Sequence, residues 1–379
     1  MKHQTWLSTN FFTFFFTWGI FIPYWTAWLV SEKELTVAAA SSIIAAGMIA
    51  RSFSTLFFFP ALSKRFSLAQ LMKILPVVST GLLLLFIPID SFIGLLIVMI
   101  LFSLFYPNML PLMESNASLL MRTHQIHYGR SRSWGSIGYT TGLILIGITT
   151  AIWSESSILT MMLIGSGLII LASFRRSPDV LHERVSNQNG TYRAVLATPG
   201  FAIVMSICII IQGAHASYYN YGFLYLQELG VSSFYIGFIL NIAVLSEILF
   251  FALADRLLKN TPISSMFVIA GIGSVIRWVL IGLFPSLWIF MITQAFHSIT
   301  FGLAHYAFIR YLYRVVDKEL IPTAQGVYAS LGMGLSAALL TFVGGYLYDI
   351  SSGMAFLGMG ISVFPAILLA FWLKMRKTL

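Results

Sequence analysis

The sequence predicts an all-α polytopic membrane protein of twelve transmembrane helices in two six-helix pseudo-repeats. Composition is the first reason. Hydrophobic residues make up 58% of the chain and charged residues only 9%, against roughly 25% charged in a soluble protein, and the mean hydropathy is +0.87. Segment length is the second. Twelve stretches, about 7–29, 38–60, 70–88, 92–116, 133–153, 157–174, 200–224, 233–254, 262–283, 286–309, 323–347 and 353–373, are apolar over the length that a spanning helix of about 20 residues needs. Charge asymmetry is the third. With the N-terminus inside, nineteen of the 22 Lys and Arg residues fall on the inner side and only Lys33 on the outer. That is the positive-inside pattern of twelve spans with both termini cytoplasmic, and a missed helix would mix the two sides.

The first apolar segment shows no small-residue cleavage site, so an uncleaved first helix is expected. It is dense in aromatics. Trp25 and Trp28 fit an interfacial belt near its outer end, and Phe11–Phe16 reads as lipid-facing bulk. The longest polar stretch, 175–198, follows the sixth segment. It divides the chain into an N-terminal bundle (1–174), a cytoplasmic linker (175–198) and a C-terminal bundle (199–379). A weak repeat supports this division: Ala61-Leu62-Ser63-Lys64-Arg65-Phe66 after the second helix and Ala252-Leu253-Ala254-Asp255-Arg256-Leu257 after the eighth. Parallel six-helix repeats are one transporter plan. Gly135, Gly138 and Gly142 on the fifth helix, and Gly326, Ser330, Gly334 and Ala338 on the eleventh, are the small residues of close helix packing.

The polar residues inside these apolar segments carry the function. Between Asn241 and Arg310, three consecutive spans hold Glu247, Arg277, and His297 with His305. Helical rise puts Glu247, Arg277 and His297 in the middle third of a core about 30 Å thick. An ionisable group there costs roughly 2.5–3.5 kcal/mol on insertion scales, so it pairs or lines a watery cavity. Glu247 is the one acid in the middle of a span, and a carboxylate that alternates between paired and protonated states can carry a proton. His297 and His305 are possible stations on the same path, and Arg277 is the counter-charge. The plain structural alternative is an ion pair that only fixes helix register.

On the seventh helix, Gln212, His215, Tyr219 and Gly222 share a face at helical spacing, with Tyr218 beside them. This face suits a cavity wall that stacks a ring, or a polar helix–helix seam. Arg51, mid-helix in the second span, has no acid near it in sequence; its guanidinium can clamp a carboxylate or pair with Glu247. The expected substrate-binding set is therefore Arg51, Gln212, His215, Tyr218, Tyr219 and Asn241. Glu114 ends the expected fourth helix, and Arg130 and Arg132 begin the fifth. With Asp255 and Arg256 they form the expected gating set.

Cys208 is the single cysteine and lies in an apolar run, so no disulfide framework or cysteine-based metal site is expected. The two span histidines lack a zinc spacing, and no nucleophile-elbow motif occurs. The sequence thus predicts no enzyme, no metal and no cofactor other than the proton as coupling ion. The expected partners are a small-molecule substrate and the lipid bilayer, without nucleic acid. The expected state is a monomer in the cell inner membrane.

Taken together, these residues resemble the major facilitator superfamily, and within it the phenylpropionate-permease group near the lactose–proton and nucleoside–proton symporters. The most specific pieces are Tyr128-Gly129-Arg130-Ser131-Arg132-Ser133-Trp134-Gly135-Ser136 and Gln212-Gly213-Ala214-His215-Ala216-Ser217-Tyr218-Tyr219, then Glu247, Arg277-Trp278, and His297 with His305. The superfamily's G-x-x-x-D-R loop motif is only partial: Asp255-Arg256 remain but the glycine is missing, and the first-half copy, Ser63-Lys64-Arg65, lacks the acid. The resemblance implies proton-coupled uptake by alternating access, with Glu247, Arg277 and His297 matching the coupling residues of the lactose-type symporters. The second acid those symporters carry on the tenth helix is absent, which leaves Glu247 as main carrier. A phenylpropionate-like aromatic acid is the implied substrate. A sugar or nucleoside symporter and a drug or sugar efflux antiporter remain the alternatives.

The charge split makes a direct prediction. A topology reporter fused at Asn189 reads cytoplasmic and one at Glu155 reads external; the same reading at both sites contradicts twelve spans.

Overall fold

The computed structural model describes residues 2–124, 126–182, 192–317 and 320–376. Positions 183–191 of the expected linker lie outside these, as do the side chains of Lys2, Arg122, Pro322 and the expected gating residue Asp255. Among the described residues there is no strand, and twelve apolar helices follow one another. They are α1 (His3–Glu32), α2 (Val37–Arg65), α3 (Leu68–Leu84), α4 (Phe92–Met121), α5 (Tyr128–Trp153), α6 (Ser157–Ser173), α7 (Phe201–Glu228), α8 (Ser233–Ala254), α9 (Ile263–Leu283), α10 (Leu287–Val315), α11 (Thr323–Ile350) and α12 (Ser352–Met375). All but α3 and α6 are long and apolar enough to cross a membrane by themselves.

The sequence marks the helix ends locally. Ser67 and Gln70 form a reciprocal capping box at the start of α3, satisfying two otherwise orphaned N–H groups. Ser91 and Ser351 accept from the third residue of α4 and α12. Gly230, with φ of +76°, lets the chain leave α7 in a left-handed turn. Between helices, Lys33 is held by Asp90 at 2.6 Å and by the Ile87 carbonyl at 3.2 Å.

Chain contacts separate two units. The first comprises Met1–Leu35, Ala46–Asn187 and Ser232–Phe238; the second comprises Thr36–Ala45, Gln188–Val231 and Ile239–Leu379. Each short segment has a local reason for its place. In the first unit, Gly237 of α8 lies so close to the Leu143 carbonyl that a Cβ would collide with it. In the second, Tyr221 Oη lies 2.8 Å from Ser41 Oγ, and Asp349 accepts from the Ala38 N–H at 3.3 Å, placing a carboxylate at a helix N-terminus.

In the first unit, α1 is enclosed rather than lipid-facing. Phe11, Phe14, Phe15 and Phe16 are buried, and so are Trp25 and Trp28. Trp25 and Trp28 stack on each other and meet Phe86 edge-on, so they form core and not an interfacial belt. The reason is α5. Gly138 and Gly142 lack the Cβ that would strike the carbonyls of Phe12 and Phe16, and Gly165 of α6 lacks the one that would strike the Thr17 methyl group. Close contact on two sides leaves α1 little surface for lipid. On α11 the small residues behave differently. Gly326 faces open space, and the helix widens into π turns over Tyr328–Leu335, so spacing of four no longer marks one face.

Packing at Gly138 and Gly142 gives a prediction. Gly138→Ala and Gly142→Ala each lower the stability of the purified protein by about 1–3 kcal/mol, read as an earlier thermal unfolding midpoint. Gly167→Ala, where a Cβ meets nothing within 4 Å, leaves it unchanged or slightly raised.

Candidate functional site

The candidate site is built in the second unit where two helices depart from α geometry. The first is α7. It breaks at Ala214–His215, between stretches Phe201–Gly213 and Ala216–Glu228. The break leaves the Ile211 carbonyl without its usual N–H, and His215 Nδ1 supplies one at 3.0 Å. The second is α10. Its regular turns stop at Ala295, and Ser298–Leu303 is π-helical. Such wide turns recur at functional sites because they free backbone and re-aim side chains.

Arg277 of α9 lies between these irregular segments and is fully buried. Its Nη1 donates to Thr300 Oγ1 at 3.1 Å and to His297 Nδ1 at 3.2 Å. The rings of Tyr218 and Trp278 lie 4.7 and 4.5 Å from its Cζ, close enough for cation–π attraction. These contacts fix the tautomers, because arginine can only donate. His297 therefore accepts at Nδ1 and carries its ring proton on Nε2, which faces Glu247 Oε2 at 3.5 Å. His215 donates from Nδ1 to Ile211 and accepts at Nε2 from Thr300, 3.0 Å away. The result is an oriented chain: Arg277 to Thr300 to His215 on one side, and Arg277 to His297 to Glu247 on the other.

The second path reaches Glu247 without passing through His305. His297, Phe301 and His305 form one column of rings, with centroids 5.1 and 6.1 Å apart and interplanar angles of 5° and 2°. The π turns bring residues four apart into line, where a regular α-helix would set His305 about 80° around from His297. Phe301 separates the two imidazoles, so no direct hydrogen bond joins them. His305 Nδ1 instead meets Tyr328 Oη at 3.1 Å, and Tyr328 accepts from Gln212 Nε2 at 2.9 Å.

Of the expected substrate-binding residues, Gln212, His215, Tyr218, Tyr219 and Asn241 all belong to the second unit. Tyr219 has its ring 5.9 Å from His215 and 6.1 Å from His297, while Asn241 is buried in α8. Arg51 belongs to the first unit, half-buried, with Cζ 5.0 Å from the Trp18 ring.

Of the expected gating residues, Glu114 and Arg132 meet at 3.7 Å, and Tyr128 Oη donates to Glu114 at 2.8 Å. Glu114 lies inside α4, which runs on to Met121, and not at its end. Arg132 also packs over Phe15, 4.2 Å from the ring. This cluster ties together helices of one unit. Arg130 and Arg256 are exposed.

Sequence reasoning passed over Thr300, Tyr328 and Phe301. A hydroxyl one helical turn after His297 was a signal for Thr300. Tyr328 and Phe301 had none, because their roles depend on π turns that no local pattern announced.

The comparisons with known proteins decide the family. The model of the MFS_1-like family matches residues 4–358. The chain belongs to that family. It is 29% identical over 373 residues to a probable 3-phenylpropionic acid transporter of Escherichia coli (strain K12), covering 97% of each chain. It is also 24% identical over 346 residues to the maltose permease of Geobacillus stearothermophilus, covering 89% of this chain and 86% of the permease. Among solved structures, a mutant of the nucleoside transporter NupG matches with a TM-score of 0.82 at 16% identity, covering 98% of this chain and 99% of that one. The fold is therefore that of MFS transporters, and the chain is a multi-pass membrane transporter, not an enzyme.

The oriented chain predicts that Thr300→Val, nearly isosteric, strands one donor on Arg277 and an acceptor on His215. The expected loss is about 1–3 kcal/mol of unfolding stability. Thr293→Val is the comparison: that hydroxyl is equally buried but bonds only to the Phe290 carbonyl of its own helix, and the expected loss is smaller. Equal losses in thermal melts contradict the relay.

Proposed function

We propose that this transporter takes up a small organic solute together with a proton, by alternating access, and that the solute is an aromatic carboxylate such as 3-phenylpropionate. The substrate class draws on the Escherichia coli relative, a probable 3-phenylpropionic acid transporter. The coupling draws on a single observation: Glu247 lies against the Nε2 proton of a histidine whose other nitrogen is held by Arg277. A carboxylate in that position has a fixed donor when ionised. It loses that interaction strength when protonated, so its proton occupancy is linked to the surrounding geometry. Proton uptake then needs no cofactor. The proposed location is the cell inner membrane with both termini cytoplasmic, which follows from the inner-side Lys and Arg excess.

Sugar symport is the second reading, favoured by the maltose permease relative. The ring-lined surroundings of Tyr218, Tyr219 and His297 serve either substrate, since sugars and aromatic acids both stack on aromatic faces.

The test is Glu247→Gln, which mimics the protonated acid. The variant still exchanges 3-phenylpropionate across reconstituted vesicles, because exchange needs no net proton release. It fails to accumulate the solute against a gradient and only equilibrates it. Full accumulation by the variant contradicts a carrier role for Glu247. A parallel loss of expression and exchange identifies a structural residue instead, as expected when a buried polar partner is left unmet at about 1–3 kcal/mol.

A further inference from the structure

We infer that the Nε–Nη2 edge of Arg277 is the carboxylate-binding fork of the transport site. This inference rests on the proposed aromatic-acid substrate and names the group that holds its charge.

A guanidinium presents five N–H donors in a planar, rigid arrangement. In Arg277 the Nη1 corner is occupied by Thr300 and His297. Nε and Nη2 are buried and meet no acceptor in hydrogen-bonding geometry among the described residues, the Tyr218 hydroxyl being a polar group close beside the guanidinium, and no described carboxylate lies within ion-pair distance of this arginine. A buried donor left unmet is costly, and an unneutralised buried charge more so. The two free positions are adjacent on one edge, the geometry that a carboxylate meets with two parallel hydrogen bonds. A hydroxyl or an amide satisfies such an edge poorly and does not neutralise it. Because Thr300 and His297 hold the opposite corner, the free edge is pre-oriented, and binding there loses little side-chain freedom. The Tyr218 and Trp278 rings at 4.7 and 4.5 Å supply apolar surface beside the charge, which suits an aryl group attached to the acid.

Arg51 is the competing cation, which the sequence offers as a carboxylate clamp or as a partner of Glu247. Its situation differs. It is partly exposed and rests on Trp18, whereas Nε and Nη2 of Arg277 are fully enclosed. The fork on Arg277 also places the substrate's negative charge on the same guanidinium that holds His297, the imidazole facing Glu247. Substrate charge and the proton-carrying acid thereby share one cation.

The experiment compares 3-phenylpropionate with 3-phenylpropanamide, by ligand-induced thermal stabilisation of the purified full chain and by counterflow in vesicles. Wild-type protein prefers the acid. R51K keeps that preference, with any change in affinity falling on both compounds. R277K loses it, with acid binding weakened roughly tenfold or more, since a point charge does not reproduce a fork, and amide binding unchanged. Loss of the preference in R51K overturns the assignment, and so does its retention in R277K. If R277K does not fold, R51K alone decides: a retained preference supports the fork on Arg277 and a lost one rejects it. Wild-type protein that handles acid and amide equally rejects the fork while leaving transport intact. Wild-type protein that handles neither rejects the aromatic-acid reading and the fork together.

Discussion

Burial of the Arg277 guanidinium is the constraint on which the second unit's interior depends. A cation removed from water must find hydrogen-bond acceptors or aromatic faces nearby. Here it finds a hydroxyl, an imidazole nitrogen and two rings. The partners on neighbouring helices each impose something on the helix that carries them. Thr300 and His297 sit where α10 has opened into π turns. Tyr218 follows directly on the break in α7, where His215 repairs the Ile211 carbonyl. The loss of regular helix at these points is matched by hydrogen bonds that only this arrangement provides, as it must be where no water can substitute.

The same arrangement bears on the proposed coupling. Arginine cannot accept, so its contact with His297 Nδ1 assigns the imidazole proton to the side facing Glu247. The His297 ring thus lies between the Arg277 guanidinium and the Glu247 carboxylate. A rearrangement that turns Arg277 away frees His297 Nδ1 to change roles, and the environment of Glu247 changes with it. The proton coupling proposed above needs few residues, which accords with the single acid that the sequence places mid-span.

Much of this was legible in the sequence for a physical reason: charge in an apolar segment is expensive, so Glu247, Arg277 and His297 stood out as residues that had to face one another or a cavity. Helix number was legible because length, hydropathy and the Lys/Arg split are summed over many residues and tolerate local error. Side-chain environment was less so. Trp25 and Trp28 read as an interfacial belt but are buried, because glycines on α5 and α6 draw those helices onto α1, a tertiary effect absent from the composition of α1 itself. The column of His297, Phe301 and His305 was not legible for a related reason. The π turns of α10 change the angular step, and they arise from packing and polar contacts rather than from any residue preference.

The central claim, that solute and proton move together, is tested most directly by following pH in a lightly buffered suspension of de-energised cells expressing the transporter. Addition of 3-phenylpropionate produces an immediate rise in external pH as protons enter with the anion, abolished by a protonophore and absent with 3-phenylpropanamide. Entry of labelled 3-phenylpropionate with no accompanying pH change contradicts the account.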